Sequence, residues 1–359
     1  MIVFVLVLTL LWLASPLLAQ EKIRVASFHT ELERKGPGLL LRDILRGDPQ
    51  VDAVAGIIAT IAPDIIVLQG VDYDMELRAL RVLRDRIDAS GHDLPHVFAL
   101  PPNTGVATGY DMDGDGRRGG PRDAQGYGAF AGQGGMAILS RYRVDHTGLR
   151  DFSHLLWAEL PWAHLPRTEA GAFPSPDAQA QQRLSTTGHW MVPVRVGDRR
   201  LNVLSFHASP PAFDGPENRN GLRNHDELLF WSKLLDGAVA PPPKAPFVLA
   251  GVANLDPVDG DGEKPAIHRL LSDPRLLDPQ PMRPHAAPQA AGHEGDPRLD
   301  TAIWPAPGPG ALRASYILPS ADLRVTASGI HWPPDGTDAA QMAETASRHR
   351  LIWVDLVLE

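Results

Sequence analysis

Short runs of apolar residues that stop at a glycine or a polar residue recur along the chain. The run at residues 247–250 ends at Gly251, and the turn that follows contains Asn254 and Asp256. Runs of about four to eight apolar residues, closed by Gly, Asn or Asp, are typical of buried β-strands whose carboxyl ends open into loops. Runs of the same form occupy residues 23–29, 64–69, 201–207 and 351–358.

Between the first strands the apolar spacing changes to that of amphipathic helices. Val51, Val54 and Ile58 lie three or four residues apart, which places them on one face of a helix at residues 49–62. Residues 38–46 and 75–89 show the same spacing. Strands that alternate with helices predict an α/β fold.

The second half of the chain predicts more strands and fewer helices. A hairpin is predicted from residues 187–196 and 201–207, with its turn at Gly197 and Asp198, and a helix is predicted from Asn224 onward. Short strands are predicted at residues 136–140, 302–304, 315–318 and 323–328. Segments rich in Pro, Gly or Asp predict long loops at residues 101–135, 161–183 and 278–310.

Several predicted strands end at residues whose side chains can bind ligands or take part in catalysis, or at a glycine that allows a sharp turn. In open α/β folds, functional sites are built at the carboxyl ends of the strands. If these strands lie side by side, their ends form one rim, and His349 joins it at the entry to the last strand. The predicted rim residues are His29, Gly70, His207, Asn254 and His349.

Length and composition favour one large domain. The chain has 359 residues, of which 43% are hydrophobic, and it contains no internal repeat. One domain spanning residues 20–359 is therefore predicted rather than two. A net charge near −9 argues against binding of long nucleic acid, whose phosphates attract basic surfaces. It leaves open a small phosphate-containing ligand in a local pocket, or a protein partner.

Residues 1–19 have the pattern of an export signal. The segment has no charged side chain, contains a long apolar core and ends at Ala19, which fits a signal peptide that is cleaved there. The alternative is an uncleaved anchor helix, and only then would the protein be attached to a membrane. Both alternatives predict a secreted or periplasmic domain. Because the chain has no cysteine, an oxidising compartment would add no disulfides.

The glycine-rich loop at residues 101–135 contains the sequence DMDGDG. Its carboxylates, at Asp111, Asp113 and Asp115, alternate along the chain, and such spacing lets oxygen atoms converge on calcium. The twelfth position of an EF-hand loop would be Arg122 instead of glutamate, which argues against an EF-hand. A single calcium loop and a solvated polar loop are both compatible with this sequence.

A family resemblance rests on the order and spacing of several motifs. The chain resembles the secreted bacterial branch of the endonuclease/exonuclease/phosphatase superfamily, which has the deoxyribonuclease-like fold. The resemblance implies a four-layer α/β/β/α sandwich with two central mixed sheets, and an ancestor that hydrolysed phosphate esters with magnesium. The motifs are IRVASFHT (23–30), PDIIVLQGVD (63–72), GMAILSR (135–141), His189, Trp190 and Pro193, SFH (205–207), FDGP (213–216), RNHD (223–226), GVANLDP (251–257), SYILPS (315–320) and SRH (347–349).

The resemblance also implies site residues, and the chain departs from most of them. Where the family has a metal-binding asparagine and glutamate, this chain has His29 and Gly70. Family aspartates are replaced by Val252 and Arg348. Two more expected aspartates are replaced by Ser315 and Ile303, and the retained positions are His207, Asn254 and His349. Loss of oxygen ligands, together with a nearby arginine, disfavours magnesium at this site.

Each retained residue also has a structural interpretation. His207 can be a buried structural histidine at a strand end. Asn254 and Asp256 can satisfy backbone groups in a turn, as Asn and Asp commonly do. His349 can form a solvated pair with Arg348 before the final strand.

Three hypotheses about function follow. The first is a degenerate family member that keeps the fold and part of a phosphate-binding cleft but has lost magnesium-dependent hydrolysis. The second is an active hydrolase of phosphate mono- or diesters in which His29, His207 and His349 bind zinc and leave a position for water. The third is a weak phosphoesterase, either metal-independent or conventionally metal-dependent, that uses the retained histidines and further site residues outside these motifs. The sequence does not specify the substrate, because one fold supports many reactions.

Overall fold

A computed structural model describes residues 21–358 of the chain. The predicted signal peptide or anchor at residues 1–19 lies outside the described residues. Within the described residues, no helix is both long enough and apolar enough to span a bilayer.

The first large sheet is mixed and contains the two strands that carry the first rim residues. Strands β1 and β2 run parallel, so their carboxyl ends lie at the same edge, and the other pairings are antiparallel. The order across the sheet is β15 (Arg324–Ile330), β16 (Ile352–Leu358), β1 (Glu21–Leu32), β2 (Ile65–Val71), β4 (Gly135–Ser140) and β3 (His96–Phe98).

The second large sheet is also mixed, with one parallel pair, β10 and β11. Its order is β14 (Ser315–Pro319), β11 (Phe247–Val252), β10 (Arg199–His207), β9 (His189–Val196) and β5 (Arg143–Val144), with β6 (Arg150–Asp151) also pairing with β9. The predicted rim strands are thus divided between two facing sheets rather than lying side by side in one.

Helices cover the outer faces of both sheets, and two-stranded hairpins lie beside them. The helices are α1 (Leu39–Arg46), α2 (Pro49–Ile61), α3 (Arg78–Ala89), α4 (Pro176–Gln181), α5 (Arg219–Leu235), α6 (Pro265–Leu271) and α7 (Asp338–Ala346). The hairpins are β7 (Arg167–Thr168) with β8 (Gly171–Ala172), and β12 (Ala302–Trp304) with β13 (Gly310–Leu312). Helix α2 begins where the sequence predicts, because the Asp48 side chain accepts the amide hydrogens of Gln50 and Val51.

Three hydrophobic clusters separate the layers. One packs α1, α2, α3 and α7 against the outer face of the first sheet, including Phe28 and Leu68. Another, including Val25 and Val203, lies between the sheets. The third packs α5 and α6 against the second sheet. This arrangement confirms the predicted four-layer α/β/β/α sandwich with two central mixed sheets.

Most predicted elements are present, and the differences are local. Helix α5 begins at Arg219, five residues before the predicted start at Asn224, because Asp214 accepts the amide hydrogens of Asn220 and Gly221. Helix α4 lies within the predicted loop at residues 161–183, and helices α6 and α7 lie in segments for which the sequence pattern predicts no element. Helices α6 and α7 are both short, seven and nine residues, so their apolar periodicity is weak.

Candidate functional site

The two sheets place their strand ends at a common rim. In β1 the inward-facing positions run Val25, Ser27 and His29, because side chains alternate across a strand. In the second sheet His207 pairs in register with Val252, and Val252 pairs with Ser315, so these three side chains share one face. The inner faces of both sheets therefore change from apolar to polar toward the rim.

Three imidazole rings meet at this rim, and we call them the histidine cluster: His29, His207 and His349. The His29 and His349 rings are stacked with centroids 4.4 Å apart. The His29 and His207 rings meet edge to face at 4.7 Å. In each ring Nδ1 is buried and has no hydrogen-bond partner. The predicted convergence of these histidines is confirmed by their ring contacts.

Burial keeps the histidine cluster uncharged at neutral pH. Burial, and then the neighbouring His349, lower the pKa of His29 to about 3. Burial, followed by the neighbouring His207, lowers the pKa of His349 to about 3, and burial next to His29 lowers the pKa of His207 well below its usual range. An imidazole with so low a pKa is a weak base and does not supply an imidazolium near pH 7.

A carboxylate that the sequence analysis did not identify lies next to Gly70. A Cβ atom added to Gly70 would lie 3.0 Å from Glu33 Oε2 and 2.8 Å from Cε1 of His29. The Glu33 side chain therefore occupies space beside the position where the resemblance places the metal-binding glutamate. Glu33 Oε2 is buried and has no hydrogen-bond partner. Burial, with smaller contributions from the nearby Glu31 and Asp72, raises the pKa of Glu33 to about 7.

Arg348 forms an ion pair across the rim. Its Nε donates to Glu31 Oε1 at 2.7 Å, and its backbone amide donates to Glu31 Oε2 at 2.8 Å. Burial would raise the pKa of Glu31, but the hydrogen bonds from Arg348 outweigh it and lower that pKa. The prediction that Arg348 and His349 form a solvated pair is wrong, because only Arg348 is exposed and its guanidinium binds Glu31.

The side chains of the other polar residues near the rim form hydrogen bonds with backbone groups. Asp72 accepts the amide hydrogens of Arg34 and Gly134. Asp256 accepts those of Val258, Asp259 and Arg313, as the structural interpretation predicted. Asn254 has a left-handed backbone with φ of 51°, and its side-chain amide donates to the carbonyl of Ala208, the residue after His207. These side chains hold loops at the rim.

The replaced positions offer few oxygen atoms to a cation. Val252 is apolar and fully buried, and Ser315 Oγ is buried without a partner. Ile303 lies on strand β12, where its amide donates to the carbonyl of Arg348. The rim thus presents imidazole nitrogens and the Glu33 carboxylate, while the Glu31 carboxylate is bound by Arg348 and Ser347. Magnesium prefers a shell of oxygen ligands. The residues present do not fit magnesium.

Zinc would suit imidazole nitrogen better, but the rings are not arranged around one point. Among residues 21–358, two groups of three His, Asp or Glu side chains bring ligand atoms within 4.8 Å of one another. Neither group contains a member of the histidine cluster. Zinc binding by His29, His207 and His349 therefore stays a prediction that requires side-chain movement.

The predicted calcium loop is one of those two groups. Oxygen atoms of Asp111, Asp113 and Asp115 lie within 4.8 Å of one another. The carboxylate of Asp111 accepts the amide hydrogens of Gly114 and Gly116, as in a polar turn. These hydrogen bonds account for the turn by themselves, so calcium binding here also stays a prediction.

Replacing Glu33 with glutamine is expected to stabilise the protein above pH 7. The folded-state pKa of Glu33 is raised, so its stabilising contribution is full below the ordinary glutamate pKa and is lost as the pH rises through about 7. At pH 8, Glu33→Gln should increase the free energy of unfolding by about 1 kcal/mol, with little change at pH 5. Urea unfolding at both pH values measures this, with exposed Glu76→Gln as control. Equal effects of Glu33→Gln at both pH values would contradict a raised pKa.

Comparisons with known proteins agree with this architecture. The model of the family described as Endonuclease/Exonuclease/phosphatase family matches residues 38–349. Sequence comparison with curated proteins gives no significant match.

Several solved structures share the fold at low sequence identity. An endonuclease/exonuclease/phosphatase from Beutenbergia cavernae has a TM-score of 0.53 and 17% identity, with 94% of this chain and 72% of that chain covered. A family protein from Bacteroides thetaiotaomicron has a TM-score of 0.52 and 14% identity over 95% and 99%. A mannosyl-6-phosphatase from Bacteroides thetaiotaomicron has a TM-score of 0.50 and 14% identity over 94% and 100%.

Proposed function

Because the chain belongs to the Endonuclease/Exonuclease/phosphatase family, we propose that it is a degenerate phosphoesterase that binds a small phosphate-containing ligand at the histidine cluster. The ion pair between Arg348 and Glu31 carries this proposal. It engages a carboxylate that would otherwise be free for a cation, and it holds the guanidinium of Arg348 at the rim. The Arg348 side chain is 57% exposed, so those of its N–H groups that do not contact Glu31 can donate to the anionic oxygens of a ligand.

The uncharged histidine cluster supports binding rather than catalysis. A neutral imidazole can carry its proton on Nδ1 and donate a hydrogen bond from it. The Nδ1 atoms of His29, His207 and His349 are buried without partners and can donate hydrogen bonds to phosphate oxygens. General acid catalysis near pH 7 would require a much higher pKa than about 3 in His29 and His349.

Hydrolysis of bis(p-nitrophenyl) phosphate tests the loss of catalysis. We expect the purified protein to show no turnover that magnesium stimulates, because the rim does not provide the oxygen ligands for that ion. His207→Ala and the exposed-site variant His285→Ala should give the same background rate as the wild type. Turnover that depends on magnesium and is lost only in His207→Ala would refute the proposal.

Thermal shift measurements test the ligand. Inorganic phosphate and glucose 6-phosphate should raise the Tm of the wild type and of His285→Ala, but not that of His207→Ala. Equal shifts in all three proteins would place the ligand elsewhere.

A second candidate is an active phosphate mono- or diester hydrolase that binds zinc at the histidine cluster. Four buried polar atoms without partners favour it: Nδ1 of His29, His207 and His349, and Oε2 of Glu33. Bound zinc would supply Lewis acidity, and these side chains would hold and orient it. Zinc analysis of the purified protein should then give one equivalent that His207→Ala loses, and hydrolysis should follow the zinc content.

We also propose that the domain acts outside the cytoplasm, in the periplasm or the medium. The uncharged apolar pattern of residues 1–19 supports this. Mass spectrometry of the protein exported from a bacterial host should give a product beginning at Gln20. A product that retains Met1 in the membrane fraction would indicate an anchor instead.

A further inference from the structure

A second cluster of polar side chains is centred on helix α5 instead of the rim. Asp226 is fully buried in that helix. Its Oδ2 accepts hydrogen bonds from Trp157 Nε1 at 2.7 Å and from the backbone amide of His164 at 2.6 Å. These two donors fix the orientation of the carboxylate, and its second oxygen therefore points in a defined direction.

Two imidazoles share that second oxygen. Asp226 Oδ1 lies 2.7 Å from Nδ1 of His164 and 2.9 Å from Nδ1 of His225. The two rings meet nearly at right angles with centroids 4.8 Å apart. One ligand atom from each residue lies within 4.8 Å of the others, which is a property that the histidine cluster lacks.

We propose that His164, His225 and Asp226 bind a divalent transition-metal ion of the zinc class. Two imidazole nitrogens and one carboxylate oxygen are a zinc donor set, and three protein ligands leave a fourth position for water. Magnesium and calcium prefer all-oxygen shells and would bind poorly. The site is independent of the proposed function, because none of its residues belongs to the rim.

The exposure of the three residues suits metal uptake. The His164 side chain is 53% exposed, whereas those of His225 and Asp226 are 13% and 0% exposed. A tetrahedral zinc site spaces its ligand atoms roughly 3.3 Å apart, slightly more than the present separations. The exposed His164 ring can make that adjustment, and a neutral imidazole that binds through Nδ1 keeps its proton on Nε2. The bound ion would replace two hydrogen bonds and tie the segment containing His164 to α5.

Calorimetric titration with zinc tests this site. We expect the metal-stripped wild type to bind one equivalent of zinc here, with no comparable binding of magnesium. His164→Ala and His225→Ala should each weaken this binding at least tenfold, whereas His285→Ala, which removes an exposed histidine elsewhere, should leave it unchanged. Zinc should also raise the Tm of the wild type more than that of His164→Ala. Cobalt in place of zinc should give the visible spectrum of a low-symmetry site with nitrogen and oxygen ligands.

The variants separate this site from the histidine cluster. Zinc binding that survives His164→Ala and His225→Ala but is lost in His207→Ala would assign the ion to the rim and overturn the proposal. Absence of zinc binding and of a Tm shift in the wild type would also overturn it. In that case Asp226 would be a structural carboxylate that joins α5 to the neighbouring loop.

Discussion

Replacing Gly70 with alanine is expected to lower the free energy of unfolding by about 2–4 kcal/mol. Gly70 has φ of +68°, a backbone conformation that costs a residue with a side chain about 1–2 kcal/mol. Its new Cβ would also lie 2.8 Å from the His29 ring and 3.0 Å from the backbone nitrogen of Glu31. The latter is a main-chain atom between two paired residues of β1, His29 and Leu32, and can therefore move little.

A matched glycine separates these two contributions. Gly336 has φ of +78°, and no heavy atom lies within 4 Å of an added Cβ. Gly336→Ala should therefore cost only the backbone part, about 1 kcal/mol. Urea unfolding of both variants measures the difference. Equal costs would mean that Gly70 is not confined by Glu33, Glu31 and His29.

Replacing Arg348 with alanine is expected to lower the free energy of unfolding by about 2 kcal/mol near pH 7. The Glu31 side chain is 14% exposed and would lose its guanidinium partner, although it would keep the amide of residue 348 and the Ser347 hydroxyl. Arg348 itself is 57% exposed, which screens the pair and keeps the cost below that of a fully buried one.

The effect of Arg348→Ala should depend on pH in a defined direction. The folded-state pKa of Glu31 is lowered, so the stability from this pair is present above the ordinary glutamate pKa and is lost as the pH falls through the folded-state value. Arg298→Ala, which breaks a half-exposed pair with Asp296, is the control and should cost less than about 0.5 kcal/mol. A cost for Arg348→Ala no larger than that of the control would show that the rim pair contributes little.

The fold could be predicted because its signals are local. Apolar runs that stop at glycine or a polar residue gave β1, β2, β10, β11 and β16, and helical spacing gave α1, α2 and α3. Parallel pairing predicts that His29 and Gly70 share one edge and that His207 and Asn254 share another. The contact between His29 and His207 depends in addition on how the two sheets face each other, which strand direction does not specify.

The position of Glu33 could not be predicted from periodicity. The register between β1 and β2 shifts between His29 and Leu32, and Glu31 has φ of 51°. This irregularity turns the end of the strand, so the alternation of side chains no longer specifies where Glu33 points. The only signal in the sequence was the pair of glutamates, Glu31 and Glu33, directly after the strand.

The group formed by His164, His225 and Asp226 could not be predicted from the sequence for a different reason. His225 and Asp226 are adjacent, but His164 lies 62 residues from Asp226, in a loop rich in proline and alanine. No periodic pattern predicts the path of such a loop. The sequence RNHD is part of the family resemblance, and the contact of its aspartate with His164 depends on how the loop returns to the helix.

The two ring contacts of the histidine cluster are stabilised differently: one lies within a sheet and the other lies between the two sheets. His29 precedes the end of β1, and His349 precedes β16, so hydrogen bonding between these neighbouring strands fixes their stack. His207 belongs to the other sheet, and its edge-to-face contact with His29 spans the interface between sheets. A small slide of one sheet over the other would therefore change the His207 environment first. The NMR signals of this imidazole would report relative sheet displacement, with the His349 signals as an internal reference.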